Sequence, residues 1–196
     1  MPNLKAALLL SLAWPLAACA QPEEQPVVPR SLGAGTGGDG VWAGSGAAHS
    51  PTTIKVDETA GPEGTPAAVL EFTFSPGKYN YNWAEVACGS ANAAGCVAVR
   101  VTYKTEMPDG FPALNLMVRE STGAGYWVPG FLPPSPTRFR TETVALDRFA
   151  VPSWSKDENG ELDTEQINRI ALGLETGRSG KGRVLIADVE LVPPGW

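Results

Sequence analysis

The sequence is short of residue types on which common enzyme mechanisms depend. It contains one histidine, His49, and its 15 Lys and Arg are outnumbered by 21 Asp and Glu, for a formal net charge of −6. A single histidine argues against most metal-dependent hydrolases and against nucleophiles that need a histidine base. Without a basic surplus, the chain lacks the charge with which nucleic-acid-binding proteins neutralise phosphates. Composition therefore excludes classes of function more readily than it identifies one.

The chain also lacks an apolar segment long enough to span a membrane. The apolar stretch at residues 6–16 is about half of the roughly 20 residues that a membrane-spanning helix needs. Lys5 precedes this stretch, and small residues follow it. A short charged region, an apolar region and small residues at the end predict a signal peptide over residues 1–18.

The signal peptide ends in Leu16-Ala17-Ala18-Cys19, which resembles the lipobox of bacterial lipoproteins. The resemblance implies that Cys19 is acylated, becomes the first residue of the mature protein and anchors it in the cell envelope. Several acyl chains hold a protein at a membrane, because each buried CH₂ contributes about 0.8 kcal/mol. Ala20 follows the cysteine, which implies the outer membrane in a Gram-negative host. The alternative is an ordinary signal peptide cut near residue 18 or 20.

Two cysteines remain once Cys19 is assigned to acylation. Cys88 and Cys96 bracket a loop of small residues, and a disulfide is permitted outside the cytoplasm. We predict a disulfide between them, which would stabilise the fold by roughly 2–3 kcal/mol. A metal site is the alternative for paired cysteines, although no further Cys and no nearby His supports it.

Proline and glycine without apolar periodicity predict a tether over residues 19–38. Prolines stiffen its first half, and Gly33, Gly35, Gly37 and Gly38 loosen the second. These glycines match the spacing GxGxxG of nucleotide-binding loops. In those loops, however, the motif follows a strand and opens a helix, and here it does neither. We therefore expect one folded domain over residues 39–196.

The domain is predicted to be almost entirely β-structure. Apolar and polar residues alternate with period two, which is typical of antiparallel strands that pack on a core. The only helical signal is a single turn after Asp163, with Gln166 reaching back as in a capping box. About eight strands with almost no helix indicate a β-sandwich or barrel. The predicted strands lie at residues 53–58, 69–74, 79–86, 97–104, 114–119, 138–146, 170–174 and 185–191.

The C-terminal half resembles a known family. Its features, in order, are Trp154 after a proline, Leu162-Asp163, Ile167, Ile170, Leu172, a Gly-rich turn and the apolar strand at residues 184–191. This order resembles that of galactose-binding-like jelly-roll modules, close to the family 11 carbohydrate-binding type and the mitochondrial complex I assembly factor domain. The resemblance implies an all-β, two-sheet jelly-roll β-sandwich. Because this fold carries sugar binders, assembly factors and enzyme appendages, it does not by itself assign a function.

The same resemblance implies a structural calcium ion between the first and last strands. One ligand in such modules is an aspartate of the last strand, a position that Asp188 matches, and Asp39 near the start of the domain is the candidate partner. Carboxylate oxygens are ligands that suit calcium. The alternative for Asp188 is an outward-facing acid on a strand.

The most unusual local stretch is Tyr79-Asn80-Tyr81-Asn82-Trp83. In a strand its three aromatic side chains share one face and its two asparagines share the other. Aromatic rings stack on the apolar faces of sugars, and neighbouring polar groups bond the hydroxyls. Ordinary core packing of the rings is the alternative. The residues predicted to bind a glycan are Tyr79, Tyr81, Trp83, Arg119, Tyr126 and Trp127.

These observations predict a membrane-anchored lipoprotein that binds carbohydrate without catalysis and requires no cofactor. The sequence contains no GxSxG nucleophile motif, and no pair among its acids is singled out as the two carboxylates of a glycoside hydrolase would be. The alternative function is a structural or assembly module that contacts other envelope proteins.

Overall fold

The computed structural model describes residues 30–33, 41–88 and 93–196. The predicted signal peptide, the acylation site Cys19, most of the tether and the candidate calcium ligand Asp39 lie outside the described residues. Within the described ranges, no helix is long and apolar enough to cross a membrane.

The described residues form eleven β-strands and three 3₁₀ turns. The turns are Pro62–Gly64, Leu146–Arg148 and Thr164–Gln166. The strands are β1 (Arg30–Ser31), β2 (Trp42–Gly46), β3 (Thr52–Asp57), β4 (Ala67–Phe74), β5 (Asn80–Ala87), β6 (Ala98–Glu106), β7 (Leu114–Glu120), β8 (Gly125–Leu132), β9 (Arg140–Ala145), β10 (Ile167–Thr176) and β11 (Gly180–Val192).

The strands build two antiparallel sheets. One has the order β3-β4-β11-β6-β9, with β1 also paired to β11, and the other has the order β2-β5-β10-β7-β8. The longest strand, β11, pairs with β4 on one side and β6 on the other, so it joins most of the first sheet. The all-β structure predicted from the period-two alternation is confirmed, and so is the two-sheet sandwich that the family resemblance implies.

The core lies between the two sheets and follows the alternation of the strands. On β6, Val99, Val101 and Tyr103 are fully buried, whereas the residues between them are partly exposed. The hydroxyl of Tyr103 donates a hydrogen bond to the carbonyl of Pro133 at 2.7 Å, which satisfies its polar end inside the core. Each fully buried large aliphatic side chain contributes about 1.5–3 kcal/mol, so these faces hold the sheets together.

Two strands that the alternation did not predict form the edges of the five-stranded sheet. β8 carries Gly125, Pro129 and Gly130, which interrupt the alternation of apolar and polar residues. Pro129 is tolerated because β8 is an edge strand, where a missing N–H leaves no ladder partner unpaired. β2, with the sequence WAGSG, lies at the opposite edge and is equally poor in strand-forming residues.

The fold begins earlier than the predicted domain start at residue 39. Arg30 and Ser31 pair with Leu191 and Glu190 of β11, and Leu32 is buried in the core. A segment that forms a strand and buries a leucine contributes to the stability of the domain. Residues 30–33, which the sequence placed in the tether, therefore belong to the domain.

The predicted helical turn is present, but its cap differs from the prediction. Asp163 precedes the 3₁₀ turn without a side-chain bond to a backbone N–H, and Gln166 Nε2 instead donates to the Asp163 carboxylate at 2.9 Å. The backbone N–H of Asp163 donates to the buried carboxylate of Glu120 at 2.7 Å. The Glu120 carboxylate on β7 therefore accepts the N–H that Gln166 would bond in a capping box.

Candidate functional site

The five-stranded sheet turns one set of side chains to the core and the other to solvent, as alternation requires. The second set lies on adjacent strands in matched register. We call it the outer face. Its members are Tyr81, Trp83 and Glu85 of β5, Arg169, Ala171, Gly173 and Glu175 of β10, Asn115, Met117 and Arg119 of β7, and Trp127 of β8.

The aromatic and asparagine side chains of the stretch at 79–83 separate to opposite faces, as the sequence predicts. Asn80 and Asn82 are fully buried on the core side. Tyr79 and Tyr81 are 62% and 37% exposed. Core packing is therefore not the environment of the two tyrosines, and both rings are reachable from solvent.

Trp83 is covered, yet it does not belong to the core between the sheets. It is 8% exposed and packs with Met117 and Ala171 in a separate cluster on the outer face, against which Trp127 also packs. Its neighbour across the strand pair is Gly173, where a Cβ would lie 2.8 Å from the Trp83 ring. Trp83 therefore forms the central, mostly covered part of the outer face.

A second tryptophan pair lies at the β8 side of the outer face. The rings of Trp127 and Trp154 meet edge to face, with centroids 6.0 Å apart and an interplanar angle of 77°. Trp154 is 51% exposed and rests against Gly125. Reciprocal backbone hydrogen bonds between Trp127 and Ala150, of 3.0 and 3.2 Å, bring its loop beside β8.

Nothing in the sequence indicates that Trp154 joins this face, because it lies in a loop outside any alternating strand. The bridge between Trp127 and Ala150 that positions its loop is formed by backbone groups, so the pattern of side chains in the sequence does not indicate it.

Tyr126, which the sequence predicts to bind a glycan, does not lie on the outer face with the other predicted residues. It is 1% exposed, its ring is part of the core, and its hydroxyl donates to the carbonyl of Glu161 at 2.8 Å. Consecutive residues of a strand point to opposite faces, so Tyr126 and Trp127 cannot share one. Since Trp127 faces solvent, Tyr126 faces the core.

Tyr79 is held in place by a charged partner on the neighbouring strand. Its hydroxyl donates to Glu175 Oε2 at 2.6 Å. This hydrogen bond raises the pKa of Tyr79 to about 12. The phenol therefore stays protonated at neutral pH, and its ring is fixed at one end of the outer face.

Arg119, the remaining predicted residue, belongs to a group of three charges at the other end. Its Nε lies 3.1 Å from Glu85 Oε2, and Arg169 Nη1 donates to Glu85 Oε1 at 2.7 Å. Glu85 is on β5 and Arg119 on β7, with β10 between them. The small side chain of Ala171, which lies beside Glu85 in the register, leaves room for the contact.

The two cysteines of the domain are free, buried thiols in the structure, not a disulfide. Burial and, to a smaller extent, the nearby Cys96 raise the pKa of Cys88 to about 12. Burial also raises the pKa of Cys96, so both thiols are protonated at neutral pH. Over the described ranges, no group of three or more His, Cys, Asp or Glu could hold a metal ion.

Asp188 lies where the calcium prediction placed it, on the last strand beside the first. Its Oδ1 accepts a hydrogen bond from the Ser31 hydroxyl at 2.6 Å and lies close to Gly33. Calcium takes six to eight oxygen ligands, and these residues supply one carboxylate and one hydroxyl. The second predicted ligand, Asp39, is outside the described residues, so calcium at Asp188 stays a prediction.

No family model and no curated protein matches the chain. Solved structures do match its fold. A family 11 carbohydrate-binding module from Clostridium thermocellum, in complex with a β-1,3-1,4-mixed-linked tetrasaccharide, aligns with a TM-score of 0.63 and 13% identity over 86% of this chain and 98% of that one. A family 30 carbohydrate-binding module of a cellulosomal cellulase of C. thermocellum aligns with a TM-score of 0.59 and 10% identity over 87% and 100%.

A β-1,2-glucanase from Parabacteroides distasonis aligns with a TM-score of 0.59 and 11% identity, covering 79% of this chain but only 23% of the glucanase. At such low identities these similarities establish the fold alone. They agree with the jelly-roll β-sandwich that the C-terminal half of the sequence resembles.

Proposed function

We propose that the outer face binds a glycan by stacking sugar rings on its aromatic side chains. The observation that carries the proposal is the placement of aromatic rings, three of them exposed and that of Trp127 half-buried, at both sides of one face. Tyr79 and Tyr81 lie at the β5 side, and Trp127 with Trp154 at the β8 side. Two strands separate β5 from β8, so the rings span at least roughly 14 Å. That length suits a chain of several sugars.

The middle of the face suits an extended ligand as well. Between the exposed rings lie Trp83, Ala171 and Gly173, of which the last two have small side chains and leave the surface low. Arg119 supplies hydrogen-bond donors at its margin. The carbohydrate-binding modules that share the fold, one of them solved with a bound tetrasaccharide, support the proposal.

We propose binding without catalysis. The outer face carries two carboxylates, Glu85 and Glu175. Glu85 lies level with Ala171, and Glu175 is four residues further along the same strand, so the two are roughly 13 Å apart. Glycoside hydrolases place their two carboxyl groups about 5–9.5 Å apart. Each carboxylate is also engaged, Glu85 with two arginines and Glu175 with Tyr79.

Affinity electrophoresis of the purified chain in gels with soluble polysaccharides tests this proposal. We expect at least one polysaccharide to retard the chain, and Trp127→Ala and Tyr81→Ala each to weaken retention about 3–10-fold, because a stacked ring contributes about 0.5–1.5 kcal/mol. Trp196→Ala, which removes an exposed ring at the C-terminus, is the matched control and should change nothing. Absence of retardation by every polysaccharide would instead favour a module that binds other envelope proteins.

We further propose that acylated Cys19 anchors the chain in the cell envelope, in the outer membrane if the host is Gram-negative. Ten residues separate Cys19 from the first strand at Arg30. A proline-rich segment of this length reaches up to about 30 Å. The domain could therefore bind a glycan near the membrane surface while it remains tethered.

We propose, lastly, that Cys88 and Cys96, which are free thiols in the structure, are oxidised to a disulfide in the exported protein, with two electrons and two protons passing to a thiol oxidant of the cell envelope. Both belong to one buried cluster, and they are close enough to each other that Cys96 affects the pKa of Cys88. When the protein is unfolded in iodoacetamide without reductant, we expect no alkylation of either thiol. Alkylation of both would show that they remain free.

A further inference from the structure

Two arginines stand directly opposite each other at one end of the outer face. Arg169 of β10 and Arg119 of β7 are register partners in the antiparallel pair. Like charges in directly opposed positions destabilise a sheet. The opposed arginines therefore lower the stability of the sheet at this point. Arrangements that lower stability in this way are typical of binding sites.

A single carboxylate serves both arginines. Glu85 contacts Arg169 through Oε1 and Arg119 through Oε2, at 2.7 and 3.1 Å. No other carboxylate within the described ranges forms an ion pair with either one. The nearby Glu120 is buried and already accepts bonds from the Asp163 N–H and the Thr122 hydroxyl. Within these ranges, neither arginine therefore has an ion-pair partner other than Glu85.

Two guanidinium groups, of Arg119 and Arg169, and two carboxylates, of Glu85 and Glu120, line an open depression of about 420 Å³, together with the turn at residues 121–123. A guanidinium has five donors in a planar fork. Arg169 donates from one nitrogen to Glu85, and the Nε of Arg119 lies 3.1 Å from Glu85 without forming a hydrogen bond, so both retain donors for a further acceptor. The side chain of Arg169 is 55% exposed, which leaves those donors reachable from solvent.

We propose that this depression binds an anionic group of the glycan, a carboxylate or a sulfate ester, while the sugar rings stack on the outer face. The inference rests on the proposed function and adds to it the class of ligand, an acidic polysaccharide. Two guanidinium groups form charge-assisted, bidentate hydrogen bonds with such a group. Because the chain as a whole has a net charge of −6, general electrostatics opposes the binding of polyanions. Retention of one would have to come from a local site.

The test compares acidic polysaccharides with neutral counterparts of the same backbone in affinity electrophoresis. Polygalacturonate is paired with its carboxyl-reduced form, and carrageenan with its desulfated form. We expect the acidic member of at least one pair to be bound about tenfold more tightly, since a hydrogen bond to a charged group contributes about 1.5–3 kcal/mol. The pair that shows the preference identifies the anionic group.

Two variants that are expected to change the ratio of acidic to neutral affinity in opposite directions separate a binding role from a structural one. Arg169→Gln should reduce the ratio of acidic to neutral affinity to near one. Glu85→Gln removes the competing carboxylate and should increase that ratio severalfold. Arg183→Gln is the matched control, because Arg183 pairs with Glu106 on the opposite sheet and is similarly exposed. Thermal unfolding of each variant checks that it is folded.

Equal binding of acidic and neutral members in both pairs would overturn the anion site and leave glycan binding intact. A ratio that Arg169→Gln and Arg183→Gln change equally would overturn it as well. If no polysaccharide of either kind is retained, the proposed function fails together with the inference.

Discussion

Gly173 shows how much the outer face depends on a position without a side chain. A Cβ there would lie 2.0 Å from the carbonyl oxygen of Asn82 and 2.8 Å from the ring of Trp83. Backbone cannot move aside as the end of a long side chain can. The covered position of Trp83, and with it the shape of the central face, therefore requires glycine at 173.

We expect Gly173→Ala to lower the free energy of unfolding by about 1–3 kcal/mol, the usual cost of overpacking. Urea denaturation followed by far-UV circular dichroism measures the change. Gly177→Ala is the control, since nothing lies within 4 Å of a Cβ at that position. Equal stability of both variants would contradict the described packing of Trp83 against β10.

Single residues were predicted with unequal success, for physical reasons. Strand alternation was sufficient to place Tyr81 and Trp83 opposite the asparagines. The same rule excludes Tyr126 from the outer face once Trp127 is placed there, but the sequence does not predict β8 as a strand. The sequence could not predict that Trp154 lies beside the outer face, because backbone pairing of its loop with β8 positions it.

Among the strands, the start of β5 is held in position by the hydrogen bonds of a buried asparagine, Asn80. Asn80 Oδ1 accepts from the Ser50 hydroxyl at 2.6 Å and from the Ser75 N–H at 3.0 Å. Its Nδ2 donates to the carbonyls of Ser75, Lys78 and Arg178 at 2.9–3.1 Å. One side chain thus connects three loops to the strand that carries the aromatic residues.

Asn80→Ala should lower the free energy of unfolding by about 2–4 kcal/mol, because it leaves several buried polar groups without partners. Asn82→Ala is the comparison within the same strand. Asn82 Oδ1 accepts one long bond of 3.3 Å from Leu174, and its Nδ2 has no partner, so we expect a loss of about 1 kcal/mol. Guanidinium denaturation of both variants checks the order. A larger loss for Asn82→Ala would show that the hydrogen bonds of Asn80 are not what fastens β5.

The elements themselves divide into those that the sequence predicts and those that it does not. The eight predicted strands are all present, although β9 has one buried side chain, Val144, and β7 is buried on both faces. β2 and β8 were missed because glycine and proline replace the period-two pattern at sheet edges. β1 was missed because two residues are too short for any periodicity.

For the chain as a whole, the sequence predicts an exported domain on a short tether, and the structure shows a jelly-roll β-sandwich. The tether and the acylation site are outside the described residues, so anchoring is a matter for experiment. Fractionation of cells that express the chain or its Cys19→Ser variant provides the test. We expect the unaltered chain in the membrane fraction and the variant in the soluble fraction, because acyl chains supply the membrane affinity.

A variant that remains in the membrane fraction would show that something other than acylation anchors the chain. Ala20→Ser, which keeps the cysteine, serves as the control and should remain membrane-bound.

The central claim is that the outer face holds the glycan, and tryptophan side-chain signals report on it directly. In a ¹⁵N-labelled sample titrated with oligosaccharides, each indole N–H gives its own resonance. We predict that the resonances of Trp127 and Trp154 shift with saturation while those of Trp42 and Trp196, which are not on this face, stay in place. Titrations in which no indole resonance moves, or only those of Trp42 and Trp196 move, would contradict the account.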